Sequence, residues 1–66
     1  LSAEAERLRT ELDECVQNMN RVENLVSNPN FLQKAKPEVV DTEQARLQDL
    51  KERQQHLNEI LEQLAG

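Results

Sequence analysis

Apolar residues fall along this chain in two long, regular runs with a break between them. Leu1, Ala5, Leu8, Leu12, Cys15, Met19, Val22 and Val26 are separated alternately by four and three residues. That spacing is the seam of a helix packed on one partner with a seven-residue repeat. Val40, Glu43, Leu47, Leu50, Gln54, Leu57, Leu61 and Leu64 repeat the device with three and four in the opposite order. The pattern predicts one helix over about 2–26 and another over about 37–64, each roughly 38 Å long at 1.5 Å per residue. Neither seam gains anything from its leucines in water, so the two must close on each other. The expected fold is all-α: one antiparallel two-helix coiled-coil hairpin over 1–66, with a short helical turn at its tip.

The break, about 27–36, has a mechanism. Pro29 cannot continue the first helix without losing a backbone bond, and it pushes Asn28 out of the helical region. Asn28 then suits the cap of a short turn from Pro29 to Lys34. Pro37 suits the first turn of the next helix, where its missing N–H would be an orphan anyway. Phe31, Leu32, Val39 and Val40 are the expected filling of the tip. At the other end, Ser2 is placed to cap, with Glu4 and Glu6 in the first turn, where the helix dipole favours them.

Two alignments of the seams are open. In one, Leu12 meets Leu50 and Glu11 lies near Arg53, but Arg9 approaches Lys51. In the other, one heptad away, Leu12 meets Leu57 and Leu8 meets Leu61. The second avoids the like-charge contact and is the one favoured. Arg46, Arg53 and Glu11 flank the seams and are expected in weak interhelical pairs. Gln54 interrupts the second seam, where a polar residue costs stability but can fix register. So regular a seam could also join two chains; the tip prolines and poor charge matching of an open dimer favour a monomeric hairpin.

Composition narrows the function. Sixty-six residues with one Gly, one Phe and no Trp or Tyr make one small helical domain at most. The absent initiator Met and the tail Ala65-Gly66 predict a piece of a larger protein. No apolar run approaches the roughly 20 residues that span a bilayer, so no membrane role is expected. Cys15 has no disulfide partner in the chain and reads as a small core residue in a reducing compartment, the cytoplasm. His56 falls on an outer face, and no second His or Cys near either predicts a metal site. With no Gly-rich phosphate loop, no nucleophile beside a base and no cavity, the chain by itself is expected to be neither an enzyme nor a small-molecule binder.

The net charge is −5, a poor start for binding nucleic acid, but it is unevenly spread. Residues 1–14 carry −3, residues 15–37 carry +2, and residues 38–66 carry −4. Arg21, Lys34 and Lys36 stand in the middle block, and a hairpin brings Arg46 back towards them. The turn is thus the part of the chain able to meet an anion.

The residues of the break resemble the C-terminal coiled-coil arm of valyl-tRNA synthetases, which ends its first helix in Leu-Ser-Asn, runs through Phe and Lys-Ala-Pro, and restarts with Val-Val and a Glu. Here these are Leu25, Ser27, Asn28, Phe31, Lys34, Ala35, Val39, Val40 and Glu43. The chain departs from the pattern by an extra Val26 and by a proline that follows Lys36 rather than Ala35. The resemblance implies an appendage that leans on the outer corner of the L-shaped tRNA, with valine-specific tRNA as partner. Taken with the uneven charge, it makes Arg21, Asn28, Phe31, Lys34, Lys36 and Arg46 the candidate tRNA contacts, and it implies a parent ligase that uses ATP in domains elsewhere. The arm itself would hold no cofactor. The tip is also similar to the C-terminal hairpins of ABC-F ATPases, which bind nucleic acid or ribosomes, and a purely structural spacer is the third reading.

Overall fold

A computed structural model of the chain describes residues 2–65. Leu1, the first position of the predicted seam, and Gly66 of the tail lie outside the described residues. Three helices follow in order: α1 Ala3–Val26, α2 Pro29–Lys34 and α3 Pro37–Ala65. The long helices α1 and α3 pack side by side as a hairpin, in a body of 47 × 14 × 13 Å.

Each helix boundary follows from the residues at it. The Ser2 hydroxyl accepts from the Ala5 amide at 3.1 Å and caps α1, with Glu4 and Glu6 in the first turn. At the other end, the Ser27 and Asn28 amides donate to the carbonyls of Glu23 and Leu25 at 3.0 and 3.2 Å. Pro29 then offers no donor, and α1 stops. Asn28 is extended, and its Oδ1 accepts from the Asn30 amide at 2.9 Å, giving α2 the side-chain cap that a helix start needs. Ala35 is extended again, after its amide reaches Phe31 O at 2.8 Å. The Lys36 carbonyl accepts from Val39 and Val40 at 2.9 and 3.1 Å, which launches α3 from Pro37.

The predicted seams are the ones that face inward. Ala5, Cys15, Val22 and Leu57 are buried. Leu8, Leu12, Met19 and Val26 from α1, and Val40, Glu43, Leu47, Leu50, Gln54 and Leu61 from α3, are half-buried. Leu64 ends its seam exposed.

The register is neither of the two expected. The Cys15 thiol donates to the Leu50 carbonyl across the hairpin at 3.2 Å. The two expected alignments would set Cys15 against Leu47 or Gln54, and Leu50 lies midway. In coiled-coil packing a side chain inserts into the hole between residues of the facing helix rather than meeting one head-on. A thiol is small enough to let the opposing backbone come that close. The same offset puts Gln54 level with Leu12.

The expected ion pairs divide. Arg53 reaches Glu11 across the hairpin at 3.9 Å, an exposed contact that stabilises by a few tenths of a kcal/mol. Arg46 instead bonds Glu43 of its own helix, three residues back, at 3.5 Å. The tip filling also needs correction, because Leu32 and Val39 are each 44% exposed. Phe31 and Ala35, one helical turn apart, are the half-buried pair. Leu32 is rotated about 100° from Phe31 on a helix of 3.6 residues per turn, and a six-residue helix has only one face to bury. Val39 is turned outward for the same reason, since Val40 begins the seam.

Gln54 offers a direct check on this packing. Replacing it by leucine puts an apolar side chain level with Leu12, and the melting temperature of Gln54→Leu should rise by several degrees in so small a domain. A fall, read by circular dichroism, would mean that position 54 is not in the seam.

Candidate nucleic-acid interface

The six residues marked out by sequence fall into two groups along the rod. Asn28, Phe31, Lys34 and Lys36 lie in and beside α2 at the tip. Arg21 and Arg46 lie further down and line one groove between α1 and α3. Arg21 precedes Asn28 by seven residues, roughly 10 Å along a helix.

Within the tip group the roles differ. Asn28 spends its Oδ1 on the cap of α2, and Phe31 is half-buried against the hairpin end; both shape the tip. Lys34 closes the last turn of α2, where the negative end of the helix dipole favours a cation. Lys36 sits in the extended link that follows. Both lysines are exposed, and neither forms an ion pair among the described residues. Each ammonium is therefore available to an outside anion.

Sequence reasoning missed the apolar part of this surface. Leu25 is 36% exposed, and Leu32 and Val39 each 44%, so three of the chain's large aliphatic side chains stand out at or beside the tip. Residue type alone placed Leu32 and Val39 in the tip filling; the signal that would have exposed them is helical phase, since each of the three is one position off a residue that does turn inward. The charge reading also shifts when the block boundary at Pro37 is ignored. Glu38 and Asp41 open α3 directly after Lys36, so the tip is mixed in charge. It presents two free ammonium groups on an apolar ground.

Among the described residues no group of three His, Cys, Asp or Glu side chains could hold a metal ion. No helix is long and apolar enough to cross a membrane. Cys15 is buried and hydrogen-bonded.

Comparison with known proteins bears on the two families weighed from the tip motif. The family model described as "Valyl tRNA synthetase tRNA binding arm" matches residues 1–65. A valine–tRNA ligase of Bartonella henselae is 34% identical over 64 residues, which is 97% of this chain and 7% of that protein. The valine–tRNA ligase of Enterococcus faecalis is 36% identical over the same share of each chain. That of Brucella suis is 40% identical over 57 residues, 86% of this chain and 6% of the relative. The chain thus spans about 7% of the length of the curated relatives it matches. No solved structure matches it at comparable significance.

Proposed function

The chain belongs to the valyl tRNA synthetase tRNA-binding-arm family, and from that footing we propose that its tip rests on the elbow of a valine-specific tRNA. The observation that carries this reading is the surface at the tip: exposed Leu25, Leu32 and Val39 beside the unpaired Lys34 and Lys36. RNA loops are recognised through splayed or stacked bases and backbone phosphates rather than groove edges. An apolar ground with two cations suits that target: the aliphatic side chains pack on base faces, and the ammonium groups meet phosphates.

Two phosphate contacts give weak binding in isolation. They become useful when the arm is the second of two tethered sites, because tethering makes the second contact intramolecular. The arm therefore acts as a monomeric hairpin that adds affinity and orientation to a parent ATP-dependent valine–tRNA ligase in the cytoplasm. The residues of this arm do not fit ATP: no Gly-rich loop cradles phosphates, and the grooves along the rod are open. Its own contribution is confined to binding.

The test is an NMR titration of the isotope-labelled chain with valine-accepting tRNA at low salt. Amide shifts should gather at Leu25, Leu32, Lys34, Lys36 and Val39 and fade as salt is added. A spectrum unchanged at millimolar tRNA would leave the hairpin as a structural spacer.

A further inference from the structure

The hairpin is packed in a register that leaves apolar contact unused at its base. Ala5 shares a groove with Leu61, the Cys15 thiol meets Leu50, and Val22 shares a groove with Glu43. Leu64 ends the seam exposed, while Leu12 and Val22 each face a polar residue, Gln54 and Glu43. A seam repeating every three and four residues closes again when one helix moves by half a heptad, about 5 Å at 1.5 Å per residue. Moving α3 towards the tip by that much sets Leu8 against Leu61, Leu12 against Leu57 and Ala5 against Leu64. In exchange Val40 leaves Val26 and joins Val39 at the tip. Gln54 arrives at Cys15, whose thiol can donate to its amide oxygen. Little is given up: the thiol is a weak donor, and the Glu11–Arg53 pair at 3.9 Å is exposed. Movement the other way is opposed, because it brings Arg9 to Lys51 and carries Val26 beyond the start of α3. The turn permits the slide, since α2 buries no residue and is joined to the long helices through the extended residues Asn28 and Ala35.

We propose that the hairpin is a two-register device, in which α3 slides along α1 by half a heptad and tRNA on the tip biases the choice. The bias rests on the RNA-binding reading above; the slide does not. A ligand selects between two states only as far as it binds them unequally, and this tip differs between them. Leu25 rides on α1, whereas Lys36 and Val39 move with α3, since the Lys36 carbonyl accepts from Val39 and Val40. The apolar and cationic parts of the tip therefore change their spacing by about 5 Å with the register. The slid register also brings Val40 to the tip, so tRNA favours it. At the other end the same slide carries Leu64 and Ala65 past Ser2, with which they line a groove. Contact at the tip is thus relayed along the rod as a displacement of one helix end against the other.

The test uses the 66-residue chain, unfractionated tRNA and disulfide closure in a glutathione buffer. Cys15 is the chain's one cysteine, so an added thiol reads the register, because closure needs Cα atoms about 4.4–6.8 Å apart. Gln54→Cys reports the slid register, Leu50→Cys the one described above, and Leu47→Cys a slide in the opposite direction. Position 54 should close about tenfold more favourably than position 47, although the two flank Leu50 at nearly equal distances. Adding tRNA should raise closure at 54 and lower it at 50, each by about threefold or more. Linkage demands the converse, that the chain locked through position 54 binds tRNA more tightly than the chain locked through position 50. Gln54→Cys leaves every leucine in place, and the same variant in urea supplies the baseline of an unstructured chain. Its answer therefore stands even if a leucine variant melts, which circular dichroism of the reduced chains shows. Closure at 54 no better than at a folded position 47, or no better than in urea, would overturn the second register. Closure at 54 that tRNA leaves unchanged, in a chain that binds tRNA, would overturn the relay. A wild-type chain that binds no tRNA, with position 54 still closing, would overturn the RNA-binding reading and leave the slide standing.

Discussion

Leu57→Ala should leave most of this chain unfolded at room temperature. Leu57 is the most deeply buried leucine in the hairpin, 4% exposed, and truncating such a residue costs about 2–5 kcal/mol through lost transfer energy and the cavity left behind. A core of this size rarely supplies more than about 3–5 kcal/mol in total, so the loss is comparable to the whole. The helices cannot survive it singly, because each owes its stability to the other's apolar face. Leu64→Ala is the control: Leu64 belongs to the same seam but is 45% exposed, and its loss should lower the melting temperature only slightly. Circular dichroism against temperature reads both. Equal melting curves for the two variants would mean that burial along the seam does not decide stability, and the packing described here would be wrong.

The second large effect is on RNA. Lys34→Ala combined with Lys36→Ala removes two exposed, unpaired ammonium groups without touching the seam, so the melting temperature should hardly move. Each lost phosphate contact takes about 0.7–0.9 from the slope of log affinity against log salt. The double variant should bind tRNA with a slope shallower by roughly 1.4–1.8, and with affinity lower on the order of tenfold at physiological salt. In a full-length ligase the change belongs in KM for tRNA, while valine activation without tRNA proceeds as before. An unchanged slope would make these lysines solvated residues of a turn.

Periodicity carried the architecture, because a seam repeating every three and four residues from Ala5 to Val26 has few uses other than facing a second one. The stops were also legible, since Pro29 and Pro37 each remove a backbone donor wherever they stand, and Asn28 is a cap by chemistry. Register was not. Sliding one seam by half a heptad brings apolar residues opposite apolar residues again, and the choice turns on how Cys15 fits against the Leu50 backbone. The valyl-synthetase resemblance was visible in the tip residues, and the family match covers nearly the whole chain. The tip surface was misread because the orientation of a six-residue helix depends on the backbone angles at Asn28 and Ala35, which no pattern of Phe31, Leu32 and Val39 encodes. Charge counted in blocks cut after Pro37 hid that Glu38 and Asp41 stand next to the lysines at the start of α3, and that Arg46 pairs with Glu43.

Both ends of the described chain lie together, with Ser2, Leu64 and Ala65 lining one groove, and the tip stands at the opposite end of a 47 Å body. Reach is therefore adjustable independently of what is reached for. Adding or removing seven residues in each long helix restores the seam and the facing of the tip, while moving that tip by about 10 Å at 1.5 Å per residue. A change of three or four residues would also keep the seam near the inside, but would turn the tip about the rod by roughly 60° or 40° at 3.6 residues per turn. The hairpin is a ruler graduated in heptads, and evolution can alter its length without redesigning either end.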